Sequence, residues 1–310
     1  MTEVVFPRGL YQLMDAYDGF IIDQWGVLHN GNEASQKAIE TLKQLKKLKK
    51  QVIILSNSAK RSSYNKDMLK KLGYGSTYYI DVVTSGEVVW NGLQEQSYAP
   101  FDNIGNKCFL IAKSDNYPLL QDTGIDIVEN IEDANFILIS GIDASVSDLA
   151  VFDSILKKGV EHGLPAISVS NAKLAIQGHA RCFAPGALAE RYQDIGGVVH
   201  YIGKPHKAIF KYCSKLFKGV IPSRILMIGD SITSDILGAT AIDMDSMLIT
   251  SGVHDVEFKD KSTDLEKRKT IRKITRLYGS VPPKYMMNEL LWQTKEAAKE
   301  DYWRAKNNVE

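Results

Sequence analysis

Short apolar runs that stop at polar or acidic residues recur along this chain and restrict the folds open to it. Three such runs are Phe20–Ile22 before Asp23, Val52–Leu55 before Ser56, and Ile225–Ile228 before Gly229 and Asp230. Runs of this length that are rich in β-branched residues are typical of buried strands, and small polar residues after them mark the start of a loop. The pattern therefore predicts buried strands that each carry a polar residue at the carboxyl end.

Amphipathic helical segments separate these predicted strands. From Ser35 to Lys50, apolar residues such as Ile39 and Leu42 recur at helical spacing among lysines, which we interpret as a solvated face. A strand, a helix and a strand in this order predict a parallel pair joined by a crossover. Residues 99–198 repeat the alternation and predict a smaller α/β unit, whereas the leucines and aromatics from Glu257 onward predict helices packed on the core.

Composition and charge argue against several classes of protein. The 310 residues are 44% hydrophobic and 24% charged, as in ordinary globular proteins. The 38 lysines and arginines nearly balance the 37 aspartates and glutamates, so no overall field favours nucleic acid or an anionic membrane. Three scattered cysteines without paired spacing argue against a disulfide framework or a zinc site, and no apolar run is long enough for a membrane span. We therefore expect a soluble, cytoplasmic protein.

Four predicted strand ends supply residues that suit phosphoryl transfer. They are Asp23, Ser56 with Asn57, Lys204, and Asp230 with Asp235. Ligands of open parallel sheets bind at the carboxyl ends of the strands. Carboxylate oxygens suit Mg²⁺, a hydroxyl and an amide can hydrogen-bond phosphate oxygens, and lysine adds a positive charge. Each residue alone also suits a turn or a helix cap, so the prediction of a site depends on the combination.

Four segments give the chain a resemblance to a known family. They are Phe20–Gly31 (FIIDQWGVLHNG), Leu55–Ser58, Gly203–Pro205 and Gly229–Ile236. In order and spacing they resemble the motifs of the haloacid dehalogenase-like superfamily, and within it subfamily IIA, which includes NagD-type sugar phosphatases and pyridoxal phosphate phosphatase. The resemblance extends to about Gly252. It implies a Rossmann-like parallel-sheet core at 1–98 and 199–310, with an α/β C2-type cap inserted at 99–198.

The resemblance also implies a role for each matched residue. It implies that Asp23 is the nucleophile, which becomes an aspartyl-phosphate, and that Lys204 holds the nucleophile and the phosphate together. The residues expected to bind the substrate or its phosphate are Ser56, Asn57, Trp25, Gly26 and Lys204. The expected Mg²⁺ ligands are Asp23, Asp230, the backbone carbonyl of Trp25 and, through a water, Asp235.

Trp25 departs from the family pattern. Most phosphatases of the superfamily have a second aspartate two residues after the nucleophile, which protonates the leaving alcohol and later activates water. An indole cannot transfer a proton in either step, which predicts a slow phosphatase or one limited to good leaving groups. His29 is a candidate replacement for the proton donor, and a structural hydrogen bond is the alternative role for its imidazole. The indole can instead line the substrate pocket.

The leading hypothesis is an enzyme, a Mg²⁺-dependent phosphoric monoester hydrolase that acts on a small phosphorylated metabolite. Trp25 motivates a second hypothesis, a regulatory protein that binds such a metabolite without turning it over. A metal-free, dehalogenase-type hydrolase is a third, against which Asp230 and Asp235 argue. We expect the loop from Asn171 to Arg181 to contact the substrate. We expect no nucleic acid or membrane partner. We also expect that the protein can form a homo-oligomer through the cap.

Overall fold

The structure divides into two compact units. The computed structural model describes residues 3–113, 119–177 and 180–293. Within these limits, the first unit comprises the chain up to Leu55, the segment Lys66–Val82 and the chain from Phe210 onward. The second unit comprises Ser56–Asn65 and Val83–Ile209. Each unit therefore contains segments that are distant in sequence.

Strands and helices alternate along most of the described chain. The strands are β1 (Gly19–Asp23), β2 (Gln51–Ser56), β3 (Asp81–Thr84), β4 (Lys107–Ile111), β5 (Asp126–Ile127), β6 (Phe136–Ile139), β7 (Ala166–Ser168), β8 (Leu174–Gln177), β9 (Ala180–Phe183), β10 (Val199–Tyr201), β11 (Ile225–Gly229), β12 (Asp245–Ile249) and β13 (Tyr285–Met287). The helices are α1 (Gln36–Lys47), α2 (Ser62–Lys71), α3 (Ser85–Glu95), α4 (Asp153–Glu161), α5 (Pro185–Asp194), α6 (Lys207–Leu216), α7 (Leu237–Thr240), α8 (Asp255–Phe258) and α9 (Asp264–Leu277). None of the described helices is both long enough and apolar enough to cross a membrane.

A six-stranded sheet contains the first two predicted strands and the strand before Asp230. Its strand order is β13-β12-β11-β1-β2-β3, and the pairs from β13 through β2 are parallel. The central strand β1 is buried along its whole length, which explains why its sequence is almost entirely apolar before Asp23. This sheet confirms the α/β class predicted from the alternating pattern.

Apolar side chains from the sheet and from α1 form the main core of the first unit. Ile22, Ile54 and Ile228 of the sheet are fully buried with Leu42 and Leu45 of α1, as the helical spacing predicted. The side chain of Ser35 accepts a hydrogen bond from the N–H of Ala38 at 3.2 Å, so a serine N-cap begins the helix where the sequence changes from turn residues to apolar periodicity.

The chain after Gly252 also packs into the first unit. Phe258 of α8 and Ile271 and Ile274 of α9 form a buried cluster with Leu248 and Met286. The predicted helices packed on the core are thus confirmed as far as residue 293. Strand β13, which pairs with β12, was not predicted, because three residues are too few to show a strand periodicity.

The second unit contains a five-stranded sheet of its own. Its order is β10-β7-β6-β4-β5, and every neighbouring pair is parallel. Side chains from β6, α4 and α5 form its core, among them Ile137, Leu156 and Tyr192. Strands β8 and β9 form a separate antiparallel hairpin. The boundaries proposed for an inserted cap stay a prediction, and strand β10 of this sheet lies just beyond their end at residue 198.

Candidate active site

Three buried aspartates lie close together where strands β1 and β11 end. Asp23 is the last residue of β1, Asp230 directly follows β11, and Asp235 lies in the π-helical turn Ile232–Ile236. One carboxylate oxygen of each aspartate lies within 4.8 Å of the other two. Buried carboxylates this close repel each other strongly, because water does not screen their charges. A cation bound among them would therefore stabilise the arrangement. Oxygen donors alone are the ligands that a hard divalent ion such as Mg²⁺ prefers, so these residues fit the predicted metal.

Glycines leave the space that two of these carboxylates occupy. A Cβ atom at Gly26 or Gly252 would lie 2.0 Å or 2.1 Å from Asp230 Oδ2, and one at Gly229 would lie 2.2 Å from Asp235 Cγ. Gly26 also has a φ of 82°, a left-handed conformation that glycine adopts without strain. Side chains at these positions would displace the carboxylates, so the glycines help to determine the geometry of the cluster.

Backbone N–H groups orient the same carboxylates. The N–H of Val253 donates to Asp230 Oδ2 at 2.9 Å, and the N–H of Ser231 donates to Asp235 Oδ2 at 3.1 Å. The buried His254 joins the two segments, because its Nε2 accepts a hydrogen bond from the N–H of Ile232 at 3.3 Å. Hydrogen bonds of this kind commonly hold metal-binding carboxylates in one orientation.

Trp25 lies in the loop that follows Asp23, with its indole about half exposed (52%). The N–H of Gly26 donates to the carbonyl of His29 at 2.8 Å, and the N–H of His29 donates to the carbonyl of Gln24 at 3.4 Å. Neither of these two bonds involves the carbonyl of Trp25. The residue borders a cavity of about 350 Å³ that Gly26 and Gly252 also line. Trp25 presents an aromatic surface there, and its indole has no acidic group that could protonate a leaving oxygen.

His29 is buried, and the hydrogen bonds of its ring are local. Its Nδ1 accepts the N–H of Gly31 at 2.9 Å, so a neutral ring carries its proton on Nε2. Nε2 lies 3.2 Å from the side-chain amide nitrogen of Gln24. A half-turn of that amide would let Gln24 Oε1, which is buried and has no hydrogen-bond partner within the described residues, accept the Nε2 proton. Burial lowers the pKa of His29 below its usual value. These contacts favour the structural role over that of a proton donor.

Asn57 and Lys204 are joined by a pair of hydrogen bonds within the second unit. Asn57 Oδ1 accepts the N–H of Lys204 at 2.7 Å, and Asn57 Nδ2 donates to the carbonyl of Lys204 at 3.1 Å. Ser56 ends strand β2 and accepts the N–H of Ser58 at 3.3 Å. Lys204 follows β10, which belongs to the five-stranded sheet, whereas Asp23 and Asp230 lie at strand ends of the six-stranded sheet. Pairing between strands is decided by tertiary packing, which the local pattern does not contain.

Some of the residues that shape the site were missed from the sequence. The close approach of Gly252 to Asp230 and the bond from Val253 N–H carry no local signal, although a glycine directly after a strand is a hint. The loop expected to contact the substrate, Asn171 to Arg181, includes strand β8 and the start of β9, and its residues 178 and 179 lie outside the described residues.

Comparisons with known proteins agree with this architecture. A family model described as haloacid dehalogenase-like hydrolase matches residues 20–126, and a related model for HAD-like hydrolases matches residues 201–274. A 5'-nucleotidase, YutF, of Bacillus subtilis is 25% identical over 258 residues, 82% of this chain and 94% of that protein. An acid sugar phosphatase of Staphylococcus aureus is 25% identical over 248 residues, 79% of this chain and 90% of its own length.

A solved structure extends the agreement to the fold. A haloacid dehalogenase-like hydrolase from Brucella suis is 26% identical, with a TM-score of 0.73 over 92% of this chain and 100% of that one. The two family models together match more than half of the sequence and include Asp23, Ser56, Lys204, Asp230 and Asp235. The chain therefore belongs to the haloacid dehalogenase-like hydrolases.

Proposed function

We propose that this hydrolase removes phosphate from small phosphorylated metabolites, with Mg²⁺ at the three aspartates and Asp23 as the nucleophile. The observation that carries the proposal is the carboxylate cluster, in which three buried side chains bring oxygens within 4.8 Å of one another at strand ends of a parallel sheet. Two relatives support the reaction class, because they are a 5'-nucleotidase and an acid sugar phosphatase. A cytoplasmic location and a homo-oligomer formed through the cap stay predictions from the sequence.

The aspartates divide the work in this proposal. Asp23, Asp230 and the backbone carbonyl of Trp25 would hold the ion directly, and Asp235 would hold it through a water. When bound, Mg²⁺ would offset the negative charge of the carboxylates and of the phosphoryl oxygens. A carboxylate oxygen of Asp23 attacks phosphorus as the bond to the leaving oxygen breaks, which produces an aspartyl-phosphate and an oxyanion that takes its proton from water. Water then cleaves the aspartyl-phosphate and restores the carboxylate.

The transferred phosphate needs donors and positive charge. We assign these to the hydroxyl of Ser56 and the ammonium group of Lys204. Gly26 was also expected to bind the phosphate, but its backbone N–H donates to the carbonyl of His29. Asn57 was expected to touch phosphate directly, but both ends of its amide bind the backbone of Lys204. Asn57 therefore acts in this proposal as a positioning residue, which holds the backbone of Lys204 in place.

Trp25 determines which esters the enzyme can cleave. Without a proton donor at this position, the leaving oxygen departs as an anion, and only esters of acidic alcohols or phenols tolerate that. General acid and base assistance is worth roughly 100- to 10,000-fold, so alkyl phosphates should react more slowly by about that factor than in an enzyme with an aspartate here. The half-exposed indole also offers an aromatic surface on which a planar leaving group can stack.

A series of aryl and alkyl phosphates of decreasing leaving-group acidity tests this function. With Mg²⁺, wild-type kcat/KM should fall steeply along the series, and the Trp25→Asp variant should flatten the fall by accelerating the alkyl esters. Trp25→Phe serves as the matched control, because it keeps an aromatic ring and adds no acid. Turnover that equals that of Asp23→Asn for every ester would rule out the proposed phosphatase.

A regulatory protein that binds phosphometabolites without turnover is the second candidate, and the same residue favours it. Trp25 occupies the position where an acid is needed, while the metal-binding aspartates and Lys204 are kept. This candidate predicts saturable, Mg²⁺-dependent binding of a phosphorylated metabolite, measured by calorimetry, and no gain of turnover in Trp25→Asp. Acceleration of alkyl ester cleavage by that variant would favour the enzyme instead.

A further inference from the structure

In the sheet of the second unit, the order in which the chain adds strands reverses between the neighbouring strands β4 and β6. From β4 the chain goes to β5 on one side of it, and then returns past β4 to β6 on the other side. β4 and β6 are paired in parallel, with Ile111 opposite Ile139 at their carboxyl ends. The next strand after β4, β5, lies on one side of this pair, and the next strand after β6, β7, lies on the other. In open parallel sheets, a reversal of strand order of this kind leaves a crevice that is the usual ligand position.

A cavity of about 500 Å³ lies at this crevice. Ile111 and Ala112 at the end of β4 line it, and so do Gly141, Ile142 and Asp143 after β6. Residues 129–132 and the first turns of α4 continue its walls. The volume lies within the range of roughly 300–1,000 Å³ that small-molecule sites occupy. All of the lining residues belong to the second unit, and none is assigned to phosphoryl transfer.

The walls of this cavity combine apolar surface with negative charge. Apolar side chains that line it include Phe109, Ile131, Ile142, Phe152 and Ile155. Three carboxylates, from Glu129, Glu132 and Asp143, are among the lining residues, against one cation, Lys158. Lys158 forms an ion pair with Glu132, and the positive charge of Lys113 acts on Asp143. Three carboxylates are thus set against two cations, and a small excess of negative charge remains.

Asp143 is held in place before any ligand arrives. Its Oδ1 accepts hydrogen bonds from the N–H of Ser145 at 2.9 Å and from Ser145 Oγ at 2.7 Å. These bonds hold the pKa of Asp143 below its usual value, so the side chain is negatively charged at neutral pH. A fixed negative charge beside apolar walls is complementary to a molecule with a positive group on an apolar body.

We propose that this crevice binds a small organic cation with an apolar body, of the arylalkylamine class. The site goes beyond the proposed phosphatase function and uses none of its residues. The aryl group occupies the apolar walls, and the ammonium group lies at Asp143 and Glu129. An ordinary solvated groove is the alternative, and it predicts no selectivity between ligands of different charge.

Titration of the full-length protein with 2-phenylethylamine tests the proposal. Isoleucine methyl groups are observed by NMR, with Ile142 and Ile155 identified through their valine variants. Saturable shifts at these two methyls are expected, with a dissociation constant of about 10 mM or tighter for a ligand of this size. 3-Phenylpropionate has a similar shape and the opposite charge, and propylamine lacks the aryl group, so both should bind at least about tenfold more weakly.

Charge variants separate the site from general attraction to the surface. Glu129→Gln with Asp143→Asn should weaken 2-phenylethylamine binding roughly threefold or more, because the two exposed negative charges that attract its ammonium group are removed from the cavity. Asp126→Asn with Glu161→Gln is the matched control, since both acids are exposed in the same unit and line no part of the cavity. The proposal is overturned by the absence of saturable shifts, by equal binding of the carboxylate probe, or by equal weakening in the control variant.

Discussion

At the residue scale, the backbone around Asp230 leaves its carboxylate very little freedom. Gly26 and Gly252 approach Oδ2 so closely that a Cβ atom at either position would overlap it, and the N–H of Val253 donates to the same oxygen. The place of Asp230 after a predicted strand indicated a metal ligand. The close contacts could not be predicted, because they involve backbone atoms that are more than 20 positions apart along the chain.

Gly252→Ala should therefore weaken Mg²⁺ binding. The added methyl group would push Asp230 away from Asp23 and Asp235, and disturbance of groups that orient metal ligands commonly costs about 10- to 100-fold in affinity. Calorimetric titration of Mg²⁺ into the folded variant measures the effect. Ser251→Ala, an exposed neighbour, is the control and should bind like wild type. Equal affinity in the two variants would contradict the role given to Gly252.

His29 gives a second prediction at this scale. Because its ring binds Gly31 and lies against Gln24, His29→Ala should lower the free energy of unfolding by about 1–3 kcal/mol, the usual cost of unpaired buried polar groups. His29→Asn can still accept the N–H of Gly31 and should recover part of the loss. Urea unfolding measures stability, and the pH profile of kcat/KM should keep its shape in both variants. Loss of one limb of that profile would restore His29 as the proton donor.

At the element scale, one ion network joins the amino ends of three neighbouring strands. Asp18, just before β1, accepts hydrogen bonds from Lys50 Nζ at 2.7 Å, just before β2, and from Arg224, just before β11. Lys50 Nζ also donates to the carbonyls of Met14 and Tyr17 at 2.7 and 2.8 Å. The network helps to set the register that brings Asp23 level with the end of β11.

Stability should depend on pH through this network. The hydrogen bonds from Arg224 and then Lys50 hold the pKa of Asp18 below its usual range, so the unfolded chain binds a proton more readily than the folded one. The contribution is complete above the unfolded pKa of about 4 and is lost as pH falls toward the folded value. The difference in unfolding free energy between wild type and Asp18→Asn should shrink below about pH 4. An exposed helix acid, Asp67→Asn, is the control, and a difference that grows in acid would contradict the role of Asp18.

Helix α9 gives the second prediction at the element scale. Ile271 is fully buried against Leu248 and Met286, so Ile271→Ala should cost about 2–5 kcal/mol of unfolding free energy. Leu277 on the same helix is 76% exposed, and Leu277→Ala should cost less than about 0.5 kcal/mol. Denaturant unfolding compares them. Similar losses would show that α9 does not pack as described.

At the scale of the whole molecule, the sequence predicted the parts of the fold that depend on local patterns. Short apolar runs such as Val52–Leu55 and the periodic helix α1 were recognised, and so was the α/β alternation in the middle of the chain. The two-residue strand β5 and the hairpin of β8 and β9 were missed, since neither is long enough to show a strong period. The sheet that contains β10 could not be foreseen, because strand pairing depends on the whole fold.

In the proposed function, the whole molecule forms and then cleaves an aspartyl-phosphate on Asp23. Without an acid at position 25 to activate water, cleavage of this intermediate should be slow, so it should accumulate. Wild-type protein mixed with Mg²⁺ and an aryl phosphate, quenched in acid and digested, should contain a phosphorylated peptide with Asp23. The Trp25→Asp variant should contain much less of this phosphorylated peptide, and Asp23→Asn should contain none. Turnover by the wild type without any phosphorylated Asp23 peptide would contradict the account.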